Sequence, residues 1–207
     1  MNLFIYFAVL IFSVTVHEVA HGWMADKCGD STARLYKRLT LNPLAHLDLV
    51  GSILIPLLLF LTRSPIMLGW AKPVPVNFYN LRNPKADMVK VALAGPGANI
   101  GLALISSLIL RLGAVPQLTL LEHLLLCGVI VNFILAIFNL LPIPPLDGSK
   151  ILMGILPSGL SNKYARLERF GFFILILFIA VGALDFVVHL AFYLSYFGVG
   201  ERHFHLQ

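Results

Sequence analysis

The sequence predicts an all-α polytopic membrane protein, built as a bundle of about four spanning helices. Of its 207 residues, 58% are hydrophobic and only 12% are charged, and the mean hydropathy is +0.87. A soluble domain carries about 25% charged residues, so this composition excludes an ordinary soluble protein. The apolar residues are also gathered into separate runs, most of which are long enough for a helix that crosses a bilayer.

Four of these runs reach the length of about 20 residues that a spanning helix needs. They cover residues 3–24, 89–112, 123–141 and 170 to about 197. A further run at 49–61 is too short to span and carries Pro56 in its middle. A short apolar run with an internal proline favours a re-entrant or half-inserted segment over a spanning helix.

The connection near residues 69–78 is predicted to be an extended loop at the membrane surface. It contains Pro73 and Pro75, and the residue before a proline is biased toward extended backbone. Such a segment could act as an edge strand that receives an unwound peptide. A plain interfacial loop is the simpler interpretation.

The distribution of Lys and Arg favours a topology in which 49–61 does not cross the membrane. In that topology thirteen of the fifteen basic residues lie on one side, and only Arg111 and Arg202 lie on the other. If 49–61 crossed, the split would be six to nine. Because basic loops remain in the cytoplasm, we expect the thirteen to be cytoplasmic and the N-terminus to lie outside. The thirteen are Lys27, Arg34, Lys37, Arg38, Arg63, Lys72, Arg82, Lys85, Lys90, Lys150, Lys163, Arg166 and Arg169.

The remaining composition argues against several other classes of protein. The net charge of +5 is explained by topology, and no basic-aromatic surface is patterned for nucleic acid, so no nucleic-acid partner is expected. Cys28 and Cys127 are isolated and lack C-x-x-C spacing. They therefore predict neither a disulfide framework nor a cysteine-rich zinc site.

The first apolar run contains the motif His17-Glu18-Val19-Ala20-His21. On a helix His17 and His21 lie one turn apart on the same face, with Glu18 beside that face. H-E-x-x-H on a helix is typical of zinc metallopeptidases, in which the histidines bind the metal and the glutamate is the general base. Burying Glu18 in a membrane-length helix costs several kcal/mol, which suggests a function. The alternatives are a chance match or two histidines that form hydrogen bonds within a helix bundle.

A catalytic zinc site needs a third protein ligand, and Asp147 is the best candidate. It follows a helix end broken by three prolines within 139–148, and non-helical backbone at membrane depth is tolerated where it lines a cavity or is buried in protein. The alternative is that Asp147 is an ordinary N-cap of the segment 148–157. The other residues considered as the third ligand are His46, His123, His189, Asp185, Glu168, Cys28 and Cys127; the topology places His123 near the opposite face.

Three motifs in order carry a family resemblance. They are H-E-x-x-H at 17–21, G-P-x-x-N at 95–99 and N-x-x-P-x-x-x-x-D-G at 139–148. Together they resemble the site-2 protease family of intramembrane zinc metalloproteases, in a minimal branch without PDZ or CBS modules. The resemblance implies a single membrane-embedded metalloprotease domain over 1–207, with a catalytic core at about 3–150 and an additional C-terminal helix at about 170–197.

The resemblance also implies the site and the reaction. His17, His21 and Asp147 are expected to bind one zinc ion per chain, and Glu18 to activate the attacking water. The expected substrates are membrane proteins in the bilayer, cleaved within or next to their transmembrane segments. The protein is expected in the cell membrane, as a multi-pass protein whose active site faces the cytoplasm.

Two functions from other classes remain alternatives at this point. A metal-binding membrane transporter also places His and Asp on facing helices, but it has no use for Glu18 as a base. An inactive membrane scaffold is the second alternative, and the intact set of His17, Glu18, His21 and Asp147 argues against it.

Several polar residues on the apolar runs are left with two interpretations each. Asn99 and Asn139 are candidates for hydrogen bonding to substrate, although structural bonding between helices is the commoner role of such residues. His46 is either an accessory metal or proton-relay residue or a surface histidine in a turn. Asp185 and His189 are spaced for a side-chain pair on one helix face.

Overall fold

The computed structural model describes residues 3–62, 71–113 and 115–200, and in these ranges every regular element is a helix and no β-strand occurs. This confirms the all-α prediction. The α-helices are α1 (Leu3–Lys27), α2 (Thr32–Leu35), α3 (Ile55–Leu61), α4 (Pro84–Arg111), α5 (Leu120–Leu140), α6 (Asp147–Ile155), α7 (Ser158–Ala165), α8 (Gly171–Ala180) and α9 (Leu184–Val199).

In the part of the chain that the structure describes, three helices, α1, α4 and α5, are long and apolar enough to cross a membrane. The C-terminal pair of helical segments, 158–180 and 184–199, raises the number to four if it is counted as one broken span. The chain is therefore a polytopic helical membrane protein, as predicted. Helix α4 is the centre of the bundle, since it packs against α1, α5, α6 and α9.

The run predicted as one C-terminal helix over 170–197 is divided into α8 and α9. Gly182 has a φ of +75°, and the segments on its two sides are bent by 71°. The backbone N–H of Gly182 donates to Ile179 O (3.0 Å) and that of Ala183 to Phe178 O (3.2 Å), as at a helix C-terminus closed by a left-handed glycine. Hydrophobicity alone does not reveal this break, because the sequence is predominantly apolar on both sides of it.

The short apolar run forms a six-residue π-helix at Leu49–Leu54 followed directly by the seven-residue α3. Asp48 caps it, because its side chain accepts hydrogen bonds from Val50 N and Gly51 N. At 1.5 Å per residue the two elements together cover about 20 Å, less than the about 30 Å of a bilayer core. The segment is thus too short to span, and its insertion to half depth stays a prediction.

The predicted loop at 69–78 is irregular over 71–77, and we call this stretch the 71–77 segment. Its first two predicted residues, Gly69 and Trp70, lie outside the described residues. A 3-10 helix at Phe78–Asn80 follows and leads into α4.

Within the described ranges the buried core has two parts. Ala103, Leu110, Val129 and Phe133 pack with residues of α9 and hold α4, α5 and α9 together. A second cluster of Ala25, Cys28, Leu81 and Val91 joins the end of α1 to the start of α4. Many large apolar side chains point outward instead, as expected where lipid surrounds the bundle.

Candidate metal centre

Helix α1 places His17 and His21 one turn apart, as the motif predicts. Their Nε2 atoms are 3.0 Å apart, and both side chains are buried. Because α1 is an uninterrupted helix over 25 residues, the two rings have a rigid support within the membrane-length segment.

Asp147 meets these rings from the first turn of α6. Its Oδ2 atom lies 3.1 Å from His17 Nε2 and 3.2 Å from His21 Nε2. The connection from α5 is a proline-containing turn, 141–146, closed by a hydrogen bond from Leu146 N to Ile143 O (2.8 Å). The interpretation of Asp147 as the N-cap is wrong, since Leu146 occupies that position and no side-chain cap bond is made.

The remaining nitrogen of each ring determines which tautomer is present. His21 Nδ1 lies 2.7 Å from the carbonyl oxygen of Val91, which can only accept, so Nδ1 carries the proton. His17 Nδ1 lies 2.5 Å from Asn99 Oδ1, and Asn99 Nδ2 donates to Ser13 O (3.3 Å), so that oxygen is also an acceptor. A neutral ring protonated at Nδ1 presents a lone pair at Nε2.

Three electron-pair donors therefore converge on one point: two Nε2 atoms and Asp147 Oδ2. That carboxylate oxygen is buried and has no hydrogen-bond partner among the described residues, which is costly unless a cation neutralises it. Zinc takes His nitrogen and carboxylate oxygen at about 2.0–2.2 Å, so two ligands of a tetrahedral site lie about 3.3–3.5 Å apart. The observed separations of 3.0–3.2 Å are close to this value, and the residues fit a zinc ion.

Helix α4 passes directly over the two histidine donors at Gly95. A Cβ atom built on Gly95 would lie 2.3 Å from His21 Nε2 and 2.6 Å from His17 Nε2. Only glycine allows the α4 backbone to approach the donors this closely. The G-P-x-x-N motif at 95–99 thus combines a glycine that leaves room for the site with an asparagine that contacts a ring.

Glu18, the candidate general base, is half-buried beside His17. Its Oε2 atom accepts a hydrogen bond of 2.8 Å from the backbone N–H of Val74. The 71–77 segment therefore lies against this carboxylate, a contact that sequence reasoning missed. A backbone donor carries no side-chain signal, so no motif could have identified it.

The two asparagines considered for substrate binding lie in different places. Asn99 is fully buried and also donates to Asn132 Oδ1 (2.7 Å), which links α4 to α5. Asn132 in turn donates to Ser13 Oγ (2.9 Å) on α1. Asn139 is half-buried near the end of α5 and donates to Leu135 O (2.9 Å) within its own helix.

The other polar candidates are not part of this cluster. His46 is only 2% exposed and pairs with Thr40 O (2.8 Å), so the prediction of a surface histidine is wrong. His189 pairs with the backbone oxygen of Asp185 (2.7 Å) rather than with its carboxylate. Among the described residues, His17, His21 and Asp147 form the one group of three His, Cys, Asp or Glu side chains that could hold a metal.

Comparison with known proteins places this geometry in context. Residues 107–181, which include Asp147, match the family described as "Peptidase family M50". The chain is 39% identical over 178 residues to "Putative zinc metalloprotease YwhC" of Bacillus subtilis, covering 82% of this chain and 78% of that protein. It is 28% and 30% identical to the Rip2 proteins of Mycolicibacterium smegmatis and Mycobacterium tuberculosis, which carry the same description. These matches cover 84% and 81% of this chain, and 66% and 64% of the two Rip2 proteins. No solved structure matches the chain.

Proposed function

Because the chain belongs to peptidase family M50, the site-2 protease family, and is a zinc metalloprotease, we propose that it cleaves other membrane proteins within or next to their transmembrane segments. The observation that supports this most directly is the convergence of His17, His21 and Asp147 beside Glu18. His17, His21 and Glu18 lie on a helix of membrane-spanning length. This supports a site at the depth of a substrate's transmembrane helix.

In this proposal His17, His21 and Asp147 hold the zinc ion. When bound, zinc supplies a Lewis acid that polarises the scissile carbonyl and makes water a nucleophile near neutral pH. Asn99 and the Val91 carbonyl keep the two rings in the metal-binding tautomer, which assigns Asn99 to ring orientation rather than to substrate.

Glu18 has the proton-transfer role. It removes a proton from the attacking water as the water oxygen bonds to the carbonyl carbon. It then delivers that proton to the amide nitrogen as the C–N bond breaks and the amine leaves. Asn139 lies close in sequence to the 141–146 turn that leads to Asp147, and a role in binding the substrate backbone stays a proposal for this residue.

We also propose that the site opens toward the cytoplasm. The distribution of the basic residues supports this proposal, because the positive-inside rule favours a cytoplasmic location for the end of α1 and for the turn after α5. Water for the hydrolysis would enter from that side. A substrate helix would have to unwind locally before its carbonyl could reach the donors.

The test compares purified wild type with Glu18→Gln. The glutamine side chain keeps the size of the glutamate but cannot take a proton, so both proteins should bind one zinc ion per chain while only the wild type cleaves. The measurements are bound zinc and the cleavage of a set of single-span reporter proteins in liposomes. Removal of zinc by a chelator should stop cleavage, and added zinc should restore it.

Two results would contradict the proposal. One is a Glu18→Gln variant that cleaves as fast as the wild type, which would exclude Glu18 as the base. The other is zinc-loaded wild type that cleaves none of the reporters, which would favour a metal-binding transporter or scaffold.

A further inference from the structure

The 71–77 segment is anchored at its N-terminal end by two residues from the connection after α1. Arg38 Nη2 donates to Lys72 O (3.0 Å) and lies 3.5 Å from Pro73 O. The backbone N–H of Lys72 donates to the carbonyl oxygen of His46 (2.8 Å). These bonds give partners to backbone N–H and C=O groups that an extended segment cannot pair within itself.

The C-terminal end of the segment is anchored by Asp30. This carboxylate is fully buried and accepts from Asn77 N (2.7 Å) and Asn80 Nδ2 (3.0 Å). It also accepts from the backbone N–H of Thr32 (3.1 Å) and from the Thr32 hydroxyl. Burial raises the pKa of Asp30, but the hydrogen bonds from Thr32, Asn80 and Asn77 outweigh it and hold the pKa below its ordinary value of 3.8.

Between these anchors Val74 is inserted against α1. Its side chain is 6% exposed and faces Gly22, where a Cβ atom would lie 2.6 Å from Val74 Cγ1. Gly22 thus provides the space that lets the segment approach α1. At this depth the backbone N–H of Val74 donates to Glu18 Oε2.

We propose that Asp30 and Arg38 are positioning residues for the hydrolysis, because they hold the 71–77 segment where the Val74 N–H fixes the Glu18 carboxylate. The proposal rests on the role of Glu18 as the base. A glutamate side chain has several rotatable bonds, and one backbone donor on Oε2 restrains it while Oε1 is left for the water. A misplacement of about 1 Å at a reacting group can cost about 100-fold in rate.

The direct test replaces the donor itself. Val74→Pro removes the N–H, and the segment already carries Pro73 and Pro75 on either side of this position. Val74→Ala keeps the N–H and shortens the side chain, so it measures the effect of packing alone. We expect kcat of Val74→Pro to be about 10 to 100-fold below that of Val74→Ala, with KM changed much less.

Two kinetic outcomes would overturn the proposal. Equal kcat in the two variants would show that side-chain packing, and not the N–H, matters. A higher kcat in Val74→Pro than in the wild type would show that the segment inhibits Glu18 instead of positioning it.

A second measurement is independent of activity. Hydrogen exchange of a peptide covering 71–77 is compared in wild type, Glu18→Gln and Glu18→Ala, with bound zinc measured in each. Glutamine retains an oxygen that accepts from Val74, whereas alanine has none, so exchange should rise only in Glu18→Ala. Asp30→Asn, which places an NH2 group against these donors, should also raise exchange and lower kcat while zinc content is kept.

These results separate the two proposals. Unchanged exchange in Glu18→Ala or Asp30→Asn would overturn the anchored contact even if the protein is an active protease. If exchange is faster in Glu18→Ala and Asp30→Asn but the wild type cleaves no reporter, the contact between Val74 and Glu18 stands. The proteolytic function is then overturned, and with it the positioning role.

Discussion

The candidate metal centre depends on how each histidine ring is held at the nitrogen that faces away from the site. Val91 O and Asn99 Oδ1 each accept from an Nδ1–H, and both residues belong to α4. The Nε2 lone pairs are then directed at the same point as Asp147 Oδ2. Outer hydrogen bonds of this kind fix the tautomer and the orientation of metal-binding imidazoles.

The close approach of the α4 backbone at Gly95 predicts that adding a single methyl group there disturbs the candidate metal site. Gly95→Ala places a Cβ 2.3 Å from His21 Nε2, so the ring must shift, and we expect zinc affinity to fall by at least about 10-fold and cleavage with it. The matched control is Gly97→Ala in the same helix, where a Cβ would meet no described residue within 4 Å. Zinc content measured by metal analysis after dialysis would decide the question. Full zinc occupancy in Gly95→Ala would show that the site lies elsewhere.

At the scale of elements, α4 serves as the supporting surface of the site. Val91, Gly95 and Asn99 are spaced four residues apart, so they lie along one face of the helix. Asn99 contacts His17 and Val91 contacts His21, so α1 and α4 run antiparallel across the site. The 71–77 segment donates a backbone hydrogen bond to Glu18 and is bonded at its C-terminal end to the buried Asp30.

Asp30 gives a prediction for the pH dependence of stability. Its pKa is lowered in the folded state, so its carboxylate stabilises the fold fully above the ordinary pKa of 3.8 and loses this effect as pH falls through the lower folded value. Wild type should therefore have a higher Tm than Asp30→Asn at pH 6, and the difference should shrink below about pH 4. Thermal unfolding in detergent at each pH measures this difference in Tm. The control is Asp185→Asn, which replaces an exposed carboxylate. A difference that stays constant from pH 6 to pH 3 would contradict the prediction.

At the scale of the whole molecule, the antiparallel arrangement of α1 and α4 bears on topology. Two antiparallel spanning helices need an even number of crossings between them. Since 49–61 is too short to span, the arrangement supports a chain that returns to the side where α1 ended. The basic residues of 26–48 and 71–90 then lie on the same side, which agrees with the charge count.

Labelling of introduced cysteines tests this topology. Three exposed residues are replaced, in the variants Tyr36→Cys, Arg82→Cys and Gln117→Cys. The native Cys28 and Cys127 are buried, and the wild type gives the background labelling. In intact cells an impermeant thiol reagent should label only position 117. Positions 36 and 82 should react after the membrane is opened. Labelling of 36 and 82 from opposite sides would show that 49–61 crosses the membrane.

Much of the site was predictable because its signals are local. Histidines four residues apart share a helix face, and a proline-broken helix end followed by Asp-Gly marks an irregular position at membrane depth. Asn99 was identified as a polar residue on an apolar helix, but its contact with His17 depends on the register between α1 and α4. The break at Gly182 was not predicted, since the apolar run continues through it.

Local sequence was sufficient for the three long apolar helices, the two candidate histidine ligands and the candidate base, because run length and helical spacing are properties of neighbouring residues. Tertiary packing decided the rest. It brought Asp147 within 3.1 Å of His17, over a separation of more than a hundred residues, and it set the Val74 amide on Glu18. These contacts join backbone groups and distant helices, and the identity of a residue does not reveal which distant backbone atom will face it.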